Sequence, residues 1–433
     1  MNFDTLIINA EICDCNSSRG IGWLAIKGNI IAATGSGDAP ADIFSQAADI
    51  IDAEKAFLIP ALIDSHVHFR TPGMEHKGNI ATESREAILG GVTTVFDMPN
   101  TNPATVDAAS LRQKYELAYR QDCRISFKPF IAASPGFMKK IADVNLRDIA
   151  GVKLFMGTTT GAMGAPDPKE LAEVMAFCTH NNLTVVVHAE DNEIINSNAA
   201  YYTELYGSPK DVPLEMHSRI RSREACLRAS AAAVELAIRY GTRLHLAHIS
   251  TADEVRELLS EGPLEGKQIT AETTPLYLDP VLADATQRSW RHKVNPAIKT
   301  EVDAEEIRSA LKRGAIDTIA TDHAPHLAAE KQGGALTAAS GAPSIRFALP
   351  VMLTYLPLQL IVNKMTSAPA TIFGMGNYGT LNVGDPANIV IIKPEEYTIT
   401  DNMVTAPCHW TPFHGRKVMH RVTHVHHNGE QLL

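Results

Sequence analysis

The chain has 433 residues, 45% of them hydrophobic, and a formal net charge of -10. That length allows a large buried core and fits an α/β barrel of roughly 250 residues with appendages. The acidic balance and the lack of any long basic run argue against a nucleic-acid partner. The most apolar window, "FALPVMLTYLPLQLIV", is broken by Pro350 and Pro357, so no membrane span is expected.

The first fifty-odd residues read as short strands. "TLIINAEI", "GWLAIKGNIIAATG" and "ADIID" are rich in β-branched residues and punctuated by Gly and Asp. No charged leader with an apolar h-region precedes them, and the six cysteines form no C-x-x-C pair. Both features fit a reducing, cytoplasmic setting, with Cys13 and Cys15 carrying no chemistry. Eight strand-like runs follow: "FLIPALIDSHVHF", "VTTVFDMPN", "RISFKPFIA", "GVKLFMG", "LTVVVHAED", "TRLHLAHIS", "QITAETTPLY" and "TIATDHAP". Between most of them lie helical stretches such as "NIATESREAILGG" and "REACLRASAAAVELAIRYG", several closed by Gly or Asn. The last sixty residues, from "GTLNVGDPANIVIIK" to "RKVMHRVTHVHHNGEQLL", resume the texture of the first fifty. The expected architecture is α/β: a (β/α)8 TIM-type barrel over residues 58–372, with a small β-sandwich built from both termini, residues 1–57 and 373–433.

Each barrel strand starts apolar and ends polar. His66, His68 and Arg70 follow strand 1, Asn100 follows strand 2, and Lys153 lies in strand 4. His188 ends strand 5, His245 and His248 belong to strand 6, and Asp322, His323 and His326 end strand 8. C-terminal strand ends of a barrel converge on one mouth. Side chains two apart in a strand share a face, so His66 and His68 are expected to chelate one ion, with His188, His248 and Asp322 nearby. Imidazole and carboxylate ligands without cysteine suit catalytic zinc, with manganese and iron left open. His424 and His426 repeat the spacing in the terminal β-rich unit and are read as structural. His245, three before His248, is placed on the opposite face, in packing or in a bond to a ligand; His323 is expected to point away from the mouth. Glu272 stays unassigned. Lys153 has two open readings. One is a snorkelling strand-end ammonium. The other is an amine that has added CO₂, giving a carbamate whose oxygens span two ions roughly 3.5–4 Å apart.

"PALIDSHVHFRTPGMEHKGNIATESREAILGGVTTVFDMPNTNP", "HLAHIST", "VNPAIKTE", "ATDHAPH" and "GTLNVGDPANIVI" together resemble the dihydroorotases of the cyclic amidohydrolase family, over essentially the whole chain. The resemblance implies two zinc ions bridged by carboxylated Lys153. His66 and His68 bind the first, His188 and His248 the second, and Asp322 binds the first and acts as acid/base. Arg70, Asn100, Asn295, His326, Ser340 and Gly341 match positions that hold the substrate. The implied reaction is reversible hydrolysis of dihydroorotate to N-carbamoyl-aspartate, in pyrimidine biosynthesis, by a metal-bridging hydroxide. The implied partners are that small molecule and further copies of the chain, as a dimer or tetramer. Another cyclic amidohydrolase, a dihydropyrimidinase or allantoinase, is the alternative; a non-catalytic relative is the third reading. Two departures stand out. "TTPLYL" puts Leu276 and Tyr277 where many members have a histidine pair, and "SGAPSIRFALP" puts Arg346 where a glutamate is usual. The Gly-rich "GTTTGAMGAPD" after Lys153 is a candidate closing loop.

Overall fold

The computed structural model describes residues 2–156, 166–376 and 378–433. The candidate closing loop therefore lies almost wholly outside the described residues.

Five strands come first: β1 (Phe3–Cys13), β2 (Ser18–Lys27), β3 (Ile30–Ser36), β4 (Ala47–Asp52) and β5 (Phe57–Pro60). The barrel strands are β6 (Leu62–Val67), β7 (Val92–Asp97), β8 (Ser126–Pro129), β9 (Ile131–Ala132), β10 (Val152–Phe155), β11 (Val185–His188), β12 (Leu244–Leu246), β13 (Ile269–Thr273) and β14 (Thr318–Ile319). The chain ends on β15 (Ile389–Thr398), β16 (Lys417–His427) and β17 (Glu430–Gln431).

The terminal strands form one hydrogen-bonded sheet in the order β17-β16-β15-β5-β1-β2-β3, with β4 on β1. Both ends of the chain thus build one unit, and Ile7, Leu24, Leu58, Ile389 and Ile391 meet in its apolar cluster. One correction concerns the run "FLIPALIDSHVHF", read as a single barrel strand. Phe57–Pro60 instead pairs with β15 and β1, and the barrel strand begins after Ala61. Apolar character alone does not mark this change of sheet, because both segments are buried.

The barrel is eight parallel strands, the third interrupted at Phe130 into β8 and β9. Its seam closes between the first and last strands, where Val67 bridges His323 and the His68 N–H donates to the His323 carbonyl at 2.8 Å. Asp64 seals the same seam by accepting from the backbone N–H (3.0 Å) and hydroxyl (2.5 Å) of Thr321. Strand alternation sorts the core. Val185, Val187, Val152 and Leu154 join the large cluster under the outer helices, whereas Val186 joins Ile63, Phe96 and Phe130 in a separate inner one. Lys153 pairs with Val186, so its side chain shares the inner face. The helices between strands are stopped as their sequences ask. Asn79 caps the helix Ile80–Leu89 with a reciprocal bond to Thr82, and Gly241 ends Arg223–Tyr240 at a φ of 70°, where a Cβ is disfavoured. Among the described residues no helix is long and apolar enough to cross a membrane.

Candidate active site

Side chains from six barrel strands meet at one end. His66, His68, Arg70, Asn100, Lys153, His188, His248, Asn295, Asp322, Ser340 and Gly341 line a single cleft with Phe155 and Ala324. Residues from 66 to 341 are brought together by the convergence of strand ends. His326, 1% exposed, sits outside this lining, bonded to Arg70.

Ligand atoms of His66, His68 and Asp322 lie within 4.8 Å of one another, as a metal-holding group requires. His68 Nε2 is 3.1 Å and His66 Nε2 3.5 Å from Asp322 Oδ1. His188 Nδ1 lies 2.9 Å from His248 Nε2, and the His248 and His66 rings are 5.4 Å apart. Lys153 is fully buried, and its Nζ has no hydrogen-bond partner among the described residues. Burial lowers its pKa to about 8 although Glu272 and Asp322 pull the other way. A buried amine with no partner is costly as an ammonium and reactive as a free base. The donor set and this orphaned amine therefore fit a centre that holds divalent cations.

Burial also holds His68 down, to about 4, and His248 well below its usual value. Burial alone would raise the Asp322 carboxyl; His66 and His68 outweigh it and hold Asp322 ionised. Three site residues carry left-handed backbone: Arg70 (φ 66°), His248 (φ 42°) and Asp322 (φ 47°). Such conformations are uncommon outside glycine and cluster where a fold must aim a side chain.

The rings are oriented from behind. His66 Nδ1 makes a short contact with the Glu272 carboxylate, leaving Nε2 toward Asp322. Glu272 also takes His245 Nε2 (3.3 Å) and the Ser65 hydroxyl (3.4 Å). His188 Nε2 lies 2.9 Å from Glu190, which pairs with Arg221. His68 Nδ1 meets Asn100 Oδ1 at 2.8 Å. Carboxylates behind ligand histidines fix ring orientation and raise basicity.

These contacts correct the placement of His245. β12 ends at Leu246 and the backbone turns at His248, so counting three along a strand does not apply. Both rings face inward, His245 one layer deeper against Glu272 and Thr270. It meets Glu272, the carboxylate that also holds His66. His323 points away from the mouth, bonding Glu83 at 2.7 Å. Arg346 ties the barrel to the C-terminal segment through the Met403 carbonyl and Glu86. Tyr277 donates to the Pro296 carbonyl at 2.6 Å, bracing the loop that carries Asn295.

Glu190 and Glu272 were not assigned roles from sequence. The signal was present for each: Glu190 lies two after His188, and Glu272 is the one charged residue of a buried strand and needs a buried partner.

Residues 57–431 match the model of the Amidohydrolase family. The chain is 33% identical over 381 residues to a dihydroorotase of Methanosarcina acetivorans, covering 84% of this chain and 79% of that one. It is 30% identical over 431 residues to a dihydroorotase of Acetivibrio thermocellus, covering 96% of each. Among solved structures, the L-hydantoinase (dihydropyrimidinase) of Arthrobacter aurescens superposes with a TM-score of 0.89 at 25% identity, covering 99% of this chain and 96% of that one. The dihydropyrimidinase of Brevibacillus agri, at 23% identity, shares the fold with a TM-score of 0.85, over 99% and 95% of the two chains. With the barrel, the terminal sheet and the histidine-rich mouth in place, the chain belongs to the amidohydrolase family and is a hydrolase.

Proposed function

We propose that this hydrolase is a dihydroorotase, interconverting dihydroorotate and N-carbamoyl-aspartate. The observation that carries the choice of ring is Arg70. It is 2% exposed, beside the metal-holding group, and its Nε and Nη2 donate to the Pro325 carbonyl (3.0 Å) and to His326 (3.1 Å). Its Nη1 carries no hydrogen bond among the described residues. A buried cation with an unused donor asks for an anion, and dihydroorotate brings a carboxylate where dihydrouracil brings none. The dihydroorotase relatives support the same choice.

His66, His68 and Asp322 would hold one divalent cation, and His188 and His248 a second. Lys153 would stand between them as a carbamate, its amine nitrogen adding to CO₂ with loss of one proton. Zinc suits this donor set. When bound, such ions would acidify a water and polarise a carbonyl. Asp322, ionised beforehand, takes a proton from the attacking water. The water oxygen adds to the ring carbonyl carbon, the amide C–N bond breaks, and Asp322 delivers its proton to the departing nitrogen. Arg70 and Asn100 orient the carboxylated end of the ring. Asn295, Ser340 and Gly341 flank its amide edge. The protein would work in the cytoplasm, as a homo-oligomer, on a small molecule alone.

The structural likeness to hydantoinases favours a second reading, a cyclic amidohydrolase of uncharged rings. Ring opening of dihydroorotate, dihydrouracil and allantoin, each with and without a chelator, separates the two. The expected result is chelator-sensitive opening of dihydroorotate alone. Arg70→Met should raise KM for dihydroorotate about a hundredfold, the order of a lost charged hydrogen bond. Faster turnover of dihydrouracil than of dihydroorotate by the unaltered protein would favour the second reading.

A further inference from the structure

Arg70 does not stand alone. Arginine only donates, so His326 Nε2, 3.1 Å from its Nη2, must accept. The ring is buried among Arg70, Lys77 and Lys331, which with burial hold it neutral. Its one proton is therefore on Nδ1. Lys77 Nζ at 3.3 Å and Glu330 Oε2 at 3.5 Å face that nitrogen, and the Ser340 backbone also hydrogen-bonds the ring. Lysine cannot accept the Nδ1 proton; the carboxylate can. Glu330 is itself fixed. Its Oε1 takes Lys77 at 2.7 Å and its Oε2 accepts the Leu327 N–H at 2.9 Å.

We propose that Glu330 is a positioning residue for the substrate's carboxylate: by holding the His326 proton on Nδ1 and occupying Lys77, it keeps Nε2 an acceptor and Arg70 in place. This inference rests on the dihydroorotase reading. Without the carboxylate, Lys77, already the nearer group, is released from its ion pair and donates to Nδ1, drawing out its lone pair. The proton then moves to Nε2 and faces the Arg70 donor 3.1 Å away, two hydrogens pointing at each other. Arg70 must turn, and with it the Nη1 left for the substrate. Lys77 thus becomes harmful only when Glu330 is neutralised.

That conditional dependence supplies the test. In the full-length, metal-loaded enzyme, Glu330→Gln should raise KM for dihydroorotate about tenfold, the scale of one neutral-to-neutral mismatch, with kcat within about twofold. Adding Lys77→Met should restore most of the loss, since no donor then competes for Nδ1. A merely structural Glu330 predicts the reverse, because the second substitution removes a further contact and damages the enzyme more. An unchanged KM in Glu330→Gln, or a double variant no better than the single one, overturns the proposal. Should Glu330→Gln fail to fold, ¹⁵N spectra of the histidine rings in the unaltered protein, compared with those of His326→Gln, identify the His326 tautomer. Protonated Nδ1 is expected, and protonated Nε2 overturns it. An unaltered enzyme that leaves dihydroorotate intact refutes the dihydroorotase reading itself, whereas an unrescued Glu330→Gln in an enzyme that opens it refutes only this inference.

Discussion

Two pairs of histidines in this chain share one spacing and differ in everything around it. His66 and His68 end β6, where strand tips converge. Asp322 lies within 3.5 Å of both, and Glu272 and Asn100 stand behind the rings. His424 and His426 lie in β16 of the terminal sheet, opposite Ile391 and Ile389 of β15. His426 is 1% exposed, and neither of its ring nitrogens has a partner among the described residues. Among the described residues His424 reaches only the neighbouring Thr423 hydroxyl. Spacing brings two imidazoles to one face; a carboxylate in front and acceptors behind turn a pair into a site.

The largest expected effect removes what only the mouth possesses. Asp322→Asn should lower kcat about a thousandfold with the fold intact by circular dichroism, since acid–base catalysis contributes on that order. Next, the two pairs should part in metal content. His66→Ala should weaken metal binding by at least about a hundredfold, and His424→Ala should leave it unchanged, as read by metal analysis after dialysis. Equal loss in both would erase the distinction between them. Glu272→Gln, one step behind His66, should cost about ten- to a hundredfold in metal affinity, less than loss of the ligand itself.

The smallest effect belongs to the terminal pair. Burial, followed by His424, lowers the His426 pKa from 6.5 to about 4. A base depressed in the fold is protonated first in the unfolded chain. Its contribution to stability is therefore whole above pH 6.5 and is lost as pH falls toward 4. His426→Leu should leave stability at pH 7 within about 1.5 kcal/mol and flatten the fall between these two pH values, measured by denaturant titration. An unchanged slope would show that His426 titrates normally.

Much of this arrangement is legible in the residues alone. Eight apolar runs ending in polar groups point to a barrel, and the ends name most of the cleft: His66, His68, Arg70, Asn100, Lys153, His188, His248 and Asp322 all reach it. What escaped depends on where strands stop. Phe57–Pro60 changes sheet without changing composition, because both destinations are buried. His245 and His248 both face inward because β12 ends at Leu246, and a count of alternation to His248 runs past its end. Glu272 acts on His66 and His245, distant in the chain, and no local spacing marks that contact; Glu190 and Glu330 lie two and four residues from the histidines they meet, spacings too common to single them out. His326 and the carbonyl of Pro325 before it both meet the Arg70 guanidinium, and the number of His326 in the chain carries no hint of that.

The amine of Lys153 is where the proposed chemistry is most exposed to refutation. A crystal structure of the protein, grown with zinc and bicarbonate, should show a planar group extending from Nζ of Lys153 with an ion on either side, one held by His66, His68 and Asp322 and the other by His188 and His248. A bare ammonium at that position, with no ion among the five ligands, would contradict it.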